Sequence, residues 1–264
     1  MTAIGLGAVI NRYQETPASS RRSRIFLLSH MRAYTSLLGH ILGSHPEIDG
    51  YYEMHRGYRG PEDLALQEAA YQREEGLKPG GRYLFDKLLH NDYPLLLDRL
   101  GQEEGVIVLI ALRDPDQAIP SILHLFRGRS PADAYGEPEG ACQYYVERLA
   151  WLSAFATAWP GRYDYFDAEC LVECPEPLLA SLTRWLALSA PLRPEYRRFS
   201  RTGLARAGDT SAAIASGNIL PRERRYGDIT LAPALQSQAR EAYRACRQAL
   251  MAQARAVELR RATR

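Results

Sequence analysis

Residues 25–38, IFLLSHMRAYTSLL, decide the fold of this chain. An apolar run ends at a short polar turn and a helix-period apolar pattern follows, which predicts a strand, a loop and the first turn of a helix. Such a junction leaves backbone N–H groups unpaired at the positive end of a helix dipole, so it favours an anion. Arg32 adds a permanent cation, and Thr35 and Ser36 add hydroxyl donors. We therefore expect a phosphate or a sulfate group at this loop.

Outward from this junction, apolar runs alternate with helical patterns. The strongest run, VIVLIAL at 106–112, is typical of a strand that is covered on both faces of a parallel sheet. Further strands are predicted at 48–54, 83–89 and 162–166, the last as an edge strand. Helices are predicted at 34–44, 61–75, 93–100, 116–126, 139–159, 177–188 and 232–260. The alternation predicts an α/β fold, a three-layer sandwich around a central parallel sheet of about five strands.

The chain is interpreted as one domain spanning 1–264. An N-terminal extension (1–24) precedes the α/β core (25–190), a loop or lid rich in Arg, Gly, Ser and Asn follows (191–230), and a C-terminal helix (231–264) ends the chain. This basic terminal helix could pack in a homodimer.

Charge and cysteine content exclude several classes of protein. The 33 Lys and Arg residues against 31 Asp and Glu leave a net charge of +2, which argues against nucleic-acid binding. Four cysteines follow no zinc-ligand spacing, and no stretch reaches membrane-spanning length. These features favour a cytoplasmic protein with reduced thiols.

The motif RDPDQAIPS, which begins at Arg113, follows the strongest strand. Ligands of open α/β sheets bind at the carboxyl ends of the strands, so Arg113 should face the same crevice as Arg32. Ser121 lies in the helix that follows. The alternative for Arg113 is a surface salt bridge to Asp114 or Asp116.

Two shorter motifs end the second and third strands. DKLLHN places Lys87 at the crevice, where it could neutralise an oxyanion, with His90 nearby. EMH supplies Glu53 and His55, either of which could accept a proton. The alternatives are an ordinary solvated charge for Lys87 and an exposed arginine partner for Glu53.

The segments SHMRAYTSLL, DKLLHN and LRDPDQAIPS together resemble the sulfotransferases that use 3′-phosphoadenosine 5′-phosphosulfate (PAPS), especially bacterial members. That resemblance implies a P-loop NTPase-like fold, PAPS as co-substrate, adenosine 3′,5′-bisphosphate as product, and no metal. The family's first loop usually reads Pro-Arg/Lys-Ser-Gly-Thr-Ser/Thr and holds the 5′-phosphosulfate. Here the matching residues are Arg32, Ala33, Tyr34, Thr35 and Ser36, with Tyr34 at the glycine position.

The same resemblance assigns the other roles. The strand-end arginine and the serine eight residues later hold the 3′-phosphate, which points to Arg113 and Ser121, and a loose echo of the family's C-terminal motif adds Arg222 and Arg225. The family's base is often a carboxylate after the second strand, so Glu53 matches it by position. The catalytic residues implied are Arg32, Glu53 and Lys87, with His55 and His90 as alternative bases.

Sulfuryl transfer to a hydroxyl acceptor is the function that this resemblance implies. The acceptor could be a small molecule, a glycan or a lipid. Two alternatives remain: a non-catalytic protein that binds the adenosine bisphosphate, and a divergent P-loop kinase or nucleotide hydrolase. The kinase interpretation lacks support because the loop has no Gly-x-x-x-x-Gly-Lys-Ser/Thr motif. Magnesium dependence would favour the kinase, and saturable binding without transfer would favour the binding protein.

Overall fold

The computed structural model describes residues 22–95, 100, 105–127, 134–159, 161–204, 209–220, 226 and 228–260. Within them, six strands form one sheet in the order β2-β3-β1-β4-β5-β6, and every strand pairing is parallel. This confirms the parallel α/β sheet that the sequence predicts. The strands are β1 (Ser23–Leu28), β2 (Ile48–Asp49), β3 (Tyr83–Leu88), β4 (Val106–Leu112), β5 (Tyr163–Asp167) and β6 (Ala256–Glu258).

Proline begins most of the described helices. It lies at the start of five of them, where a backbone N–H has no intrahelical partner to lose. None of the described helices combines the length and apolarity needed to span a bilayer. The helices are α1 (Thr35–Ser44), α2 (Pro61–Glu74), α3 (Pro115–Phe126), α4 (Pro138–Ala158), α5 (Cys170–Glu173), α6 (Pro175–Trp185) and α7 (Pro233–Gln253).

Helices cover both faces of the sheet. Side chains alternate along β1, so Phe26 and Leu28 join an apolar cluster with α3, α4 and α7, while Ile25 and Leu27 join a second cluster with α1 and α6. All four of these side chains are fully buried. The resulting three layers explain the apolar runs of the two central strands, from Ile25 in β1 and throughout β4.

The predicted second strand, 48–54, is too long. β2 ends at Asp49, because the next residue, Gly50, has φ +88° and its backbone lies against the carbonyl of Phe85, where a side chain would collide. The chain turns out of the sheet there. This turn carries Glu53 beyond the end of the sheet and toward the crevice.

The C-terminal helix predicted over 231–264 is also too long. It ends at Gln253, and the chain returns as β6 on the outside of β5. Arg255 directs this return, since its N–H donates to the carbonyl of Tyr163 at 2.8 Å and its Nε donates to Asp164 at 2.8 Å. The sheet therefore has six strands instead of about five, and β5 is not the edge strand that its sequence predicts.

The apolar face of α7 packs within the same chain. Ala239, Cys246 and Leu250 are buried in the cluster that α4 also joins. This is the helix whose basic sequence suggests a homodimer. In the helix predicted at 93–100, residues 93–95 are not helical, and residues 96–99 lie outside the described residues.

Candidate active site

The loop between β1 and α1 has an unusual backbone. Arg32 and Tyr34 have φ angles of +63° and +56°, in the left-handed region that costs a non-glycine residue about 1–2 kcal/mol. Left-handed residues at alternate positions are typical of backbone that curves around an anion. Of the other predicted loop residues, Ala33 is buried in the α1 cluster and Thr35 is the buried first residue of α1. The strand, loop and helix follow the order that the sequence predicts.

Arg32, Arg113 and Ser121 lie together, although they are distant in sequence. Nε of Arg32 donates to Oγ of Ser121 at 3.0 Å, and Nη1 of Arg113 donates to the carbonyl of Arg32. The Ser121 hydroxyl also lies 2.9 Å from the Tyr226 hydroxyl. Two guanidinium groups and two hydroxyls thus meet at the carboxyl ends of β1 and β4.

Arg113 is a buried cation, only 2% exposed. Among the described residues, its Nε and Nη2 have no hydrogen-bond partner, and its guanidinium carbon lies 4.4 Å from the centre of the Tyr34 ring. The predicted alternative, a surface salt bridge, is wrong. Asp116 pairs with Arg240 at 2.6 Å, and Asp114 caps the N-terminus of α3. A buried guanidinium with unused donors is well suited to an anionic ligand.

The backbone of Arg113 is held from both sides. Its N–H donates to Nε2 of His30 at 3.0 Å, and its carbonyl accepts from the Tyr145 hydroxyl at 2.7 Å. Nδ1 of His30 lies 2.8 Å from the carbonyl of Met31, so the proton of a neutral ring belongs on Nδ1. Burial lowers the pKa of His30 to about 4, which keeps this ring neutral at pH 7.

Lys87 is fully enclosed, 2% exposed, at the end of β3. Its Nζ donates to Oγ of Ser36 at 3.0 Å. Burial lowers the pKa of Lys87, and the charges of Glu53 and Asp86 oppose that shift. The solvated alternative for Lys87 is therefore wrong, and the residue places a cation beside the first turn of α1.

Glu53 is the first of the charges that oppose the lowering of the Lys87 pKa. It is 7% exposed, and its Oε1 lies 3.6 Å from Nδ1 of His55. Burial lowers the pKa of His90, and Glu53 is the first of the charges that oppose the shift. An exposed arginine partner for Glu53 is thus the wrong interpretation. The three candidate bases are grouped at one end of the crevice.

A groove of about 570 Å³ opens beside Glu53. One wall is built by Arg201, whose guanidinium carbon lies 4.4 Å from the centre of the Tyr52 ring and which pairs with Glu74 at 2.7 Å. The groove is large enough for an organic acceptor. It is lined by Tyr52, Glu53, Met54, His55, Arg56, Ala70, Arg73, Glu74, Arg201 and Leu204.

Sequence analysis misses two residues of this region. Arg148 of α4 donates to the carbonyls of Ser29 and Leu88, at 2.8 and 2.6 Å, and so joins the ends of β1 and β3. Asp209 contacts the anion loop through Arg32. Neither lies in a motif, and only the folded chain brings them to the crevice. Arg222 and Arg225 fall outside the described residues.

Solved structures of two sulfotransferases resemble this chain. The sulfotransferase domain from the curacin biosynthetic pathway is 17% identical, with a TM-score of 0.55 over 85% of this chain and 97% of that domain. A sulfotransferase from Alicyclobacillus acidocaldarius is 19% identical, with a TM-score of 0.51 over 88% of this chain and 95% of the other. No protein-family model and no curated protein matches the sequence. The chain therefore has the fold of these two sulfotransferases.

Proposed function

We propose that this protein is a sulfotransferase that moves a sulfuryl group from PAPS to a hydroxyl acceptor. The observation that carries the proposal is the Arg113 guanidinium, which is buried and whose Nε and Nη2 have no hydrogen-bond partner among the described residues. Burying a cation without an anionic partner costs folding free energy, and a bound anionic ligand would offset that cost. The shared fold and the resemblance of three motifs support PAPS as the donor.

The two anionic ends of the donor would bind at two separate subsites. Arg113 and Ser121 would hold the 3′-phosphate, with the Tyr226 hydroxyl adjoining Ser121 at 2.9 Å. Arg32, the N–H groups of residues 33–36 and the Ser36 hydroxyl would hold the 5′-phosphosulfate. Arg222 and Arg225 remain predicted contacts to the 3′-phosphate.

The transfer is in line. The acceptor oxygen forms a bond to sulfur while the bond from sulfur to the bridging phosphate oxygen breaks, and its electron pair stays on the departing phosphate. Arg32 would stabilise the charge that develops on that phosphate, and Lys87 would stabilise the sulfuryl oxygens. Glu53 would take the acceptor's proton, with His55 and His90 as alternative bases.

The acceptor would enter the groove beside Glu53. The groove joins apolar side chains, such as Met54 and Leu204, to charged ones, so a small organic molecule with a hydroxyl group is the class we propose. A glycan or a lipid hydroxyl fits the same chemistry. All four cysteines are free thiols, in keeping with the cytoplasmic location that we also propose.

Donor turnover tests this proposal. Purified protein would be incubated with PAPS and a panel of phenolic, aliphatic and sugar hydroxyl compounds, and release of adenosine 3′,5′-bisphosphate would be followed by chromatography. Acceptor-dependent release, with the sulfated acceptor found by mass spectrometry, supports a sulfotransferase. Tight bisphosphate binding with no release for any acceptor would favour the non-catalytic binding protein.

A further inference from the structure

Asp209 lies against the proposed donor loop. Its Oδ1 is 3.5 Å from Nη1 of Arg32, and its N–H donates to Oγ of Ser36 at 3.0 Å. The same Oγ accepts from Nζ of Lys87 at 3.0 Å. Asp209 thus contacts the cation through its carboxylate and contacts, through its backbone N–H, the hydroxyl that the proposed function assigns to the 5′-phosphosulfate.

Local bonds fix the orientation of this carboxylate. The N–H of Ser211 donates to Oδ1 and its hydroxyl donates to Oδ2, both at 3.0 Å. This is the arrangement of an aspartate-stabilised turn. The Asp209 side chain is 27% exposed, so it stays partly hydrated while it faces Arg32. Its position therefore depends on its own turn as well as on the cation.

The charge of Asp209 also acts on Lys87 and His40, two side chains close to the anion loop. Burial lowers the pKa of Lys87, and Asp209 follows Glu53 and Asp86 among the charges that oppose the shift. Burial also lowers the pKa of His40, and Asp209 again acts in the opposite direction. A phosphate or sulfate entering this loop would meet the same negative charge at close range, and the two would repel each other.

We infer that the Asp209 carboxylate occupies the place of the donor's anionic group in the free protein and that the donor displaces it. The inference rests on the proposed function, because it treats this loop as the donor site. On displacement, the donor replaces the Asp209 carboxylate as the anion beside Arg32. The free protein thereby keeps Arg32 paired with a carboxylate, and the donor binds more weakly than it would to the same loop without Asp209.

Asp209→Asn tests this exchange. It removes the charge and keeps one side-chain oxygen for the turn with Ser211. Calorimetric titration with adenosine 3′,5′-bisphosphate should show about tenfold tighter binding to this variant than to wild type, within the usual range of coupling between competing groups. Glu173→Gln, which breaks an exposed ion pair with Arg260, is the matched control and should bind like wild type. Equal or weaker binding by Asp209→Asn overturns the inference.

Titration with inorganic sulfate distinguishes a failure of this inference from a failure of the proposed function. If wild type does not bind the bisphosphate, the proposed donor is wrong. The exchange would still be supported if sulfate binds Asp209→Asn more tightly than wild type and if the double variant Asp209→Asn/Arg32→Gln loses this gain in sulfate affinity. Sulfate affinity that is equal in wild type and Asp209→Asn would overturn it. Asp209→Ala provides the same charge test if the Asn variant does not fold.

Discussion

The Arg113 guanidinium lies over the Tyr34 ring, with its central carbon 4.4 Å from the ring centre. Tyr34 holds a left-handed backbone, and Arg113 also donates to the carbonyl of Arg32, the other left-handed residue of the loop. One buried side chain therefore contacts both strained positions. A cation–π contact contributes about 0.5–2 kcal/mol, enough to offset much of the strain at Tyr34, about 1–2 kcal/mol.

Replacing Tyr34 by glycine should distinguish the effect of backbone strain on stability from the effect of the Tyr34 ring on ligand affinity. Glycine removes the left-handed penalty and the ring together, so we expect the free energy of unfolding to change by less than about 1 kcal/mol. Affinity for adenosine 3′,5′-bisphosphate should fall about fivefold, because Arg113 loses the contact that orients it. Tyr34→Phe keeps the ring and is the control. Undiminished affinity in Tyr34→Gly would show that the stack does not position Arg113.

The stability of the protein should depend on the protonation of His30. Its pKa is about 4 in the folded protein against the ordinary histidine value of 6.5, so the unfolded chain takes up the proton first as the pH falls. The stability that neutral His30 contributes is thus present above pH 6.5 and is lost as the pH falls toward 4. From pH 7.5 to 5 this loss is about 2 kcal/mol.

His30→Gln isolates that contribution. Glutamine keeps an acceptor for the Arg113 N–H and does not titrate. Urea unfolding of both proteins at pH 7.5 and 5 should show that the stability difference shifts by about 2 kcal/mol in favour of the variant at the lower pH. Burial raises the pKa of Asp86 and of Glu169 to about 7, but both groups titrate in each protein and cancel in the comparison. A pH-independent difference would contradict a neutral buried His30.

Glu53 should be essential for turnover and unimportant for donor binding. Glu53→Gln keeps the shape of the side chain and removes the base, so the rate of transfer should fall about 10²–10⁴-fold. His55→Gln and His90→Gln are the parallel variants, and steady-state rates of all three identify the base. Full activity of Glu53→Gln, with a collapse in one histidine variant, would reassign the role.

Transfer should proceed without a divalent cation. Arg32, Lys87 and Arg113 would surround the proposed donor with three cations, and these groups would supply the charge that Mg²⁺ supplies in kinases. Rates measured in excess chelator and in added magnesium should agree within about twofold. A requirement for magnesium would favour the kinase interpretation instead.

The local features of the fold are readable from the sequence. Seven apolar residues in VIVLIAL can only be covered on both faces, and they form the central strand β4. β6 is not readable, because three residues next to an alanine-rich helix carry no strand pattern. Its pairing depends on Arg255 meeting Asp164 of β5, a contact that exists only after folding.

Some residues of the candidate site are likewise predictable from the sequence, and others are not. Arg32 and Arg113 follow parallel strands and Lys87 lies at the carboxyl end of another, so topology alone predicts that they share an edge of the sheet. Asp209 lies in a segment without periodicity, and its contact with Arg32 spans most of the chain. Contacts of that kind depend on the path of a long loop, for which local propensities give no rule.

Recognition of the 3′-phosphate tests the account most directly. Calorimetric titration would compare adenosine 3′,5′-bisphosphate with adenosine 5′-phosphate, on wild type, Arg113→Gln and the charge-retaining Arg113→Lys. We predict that wild type prefers the bisphosphate by about 10²-fold, the size expected for charge-assisted hydrogen bonds to a buried guanidinium, and that Arg113→Gln loses most of this preference. Equal affinity of wild type for the two nucleotides, or no binding of either, would contradict the proposed donor site.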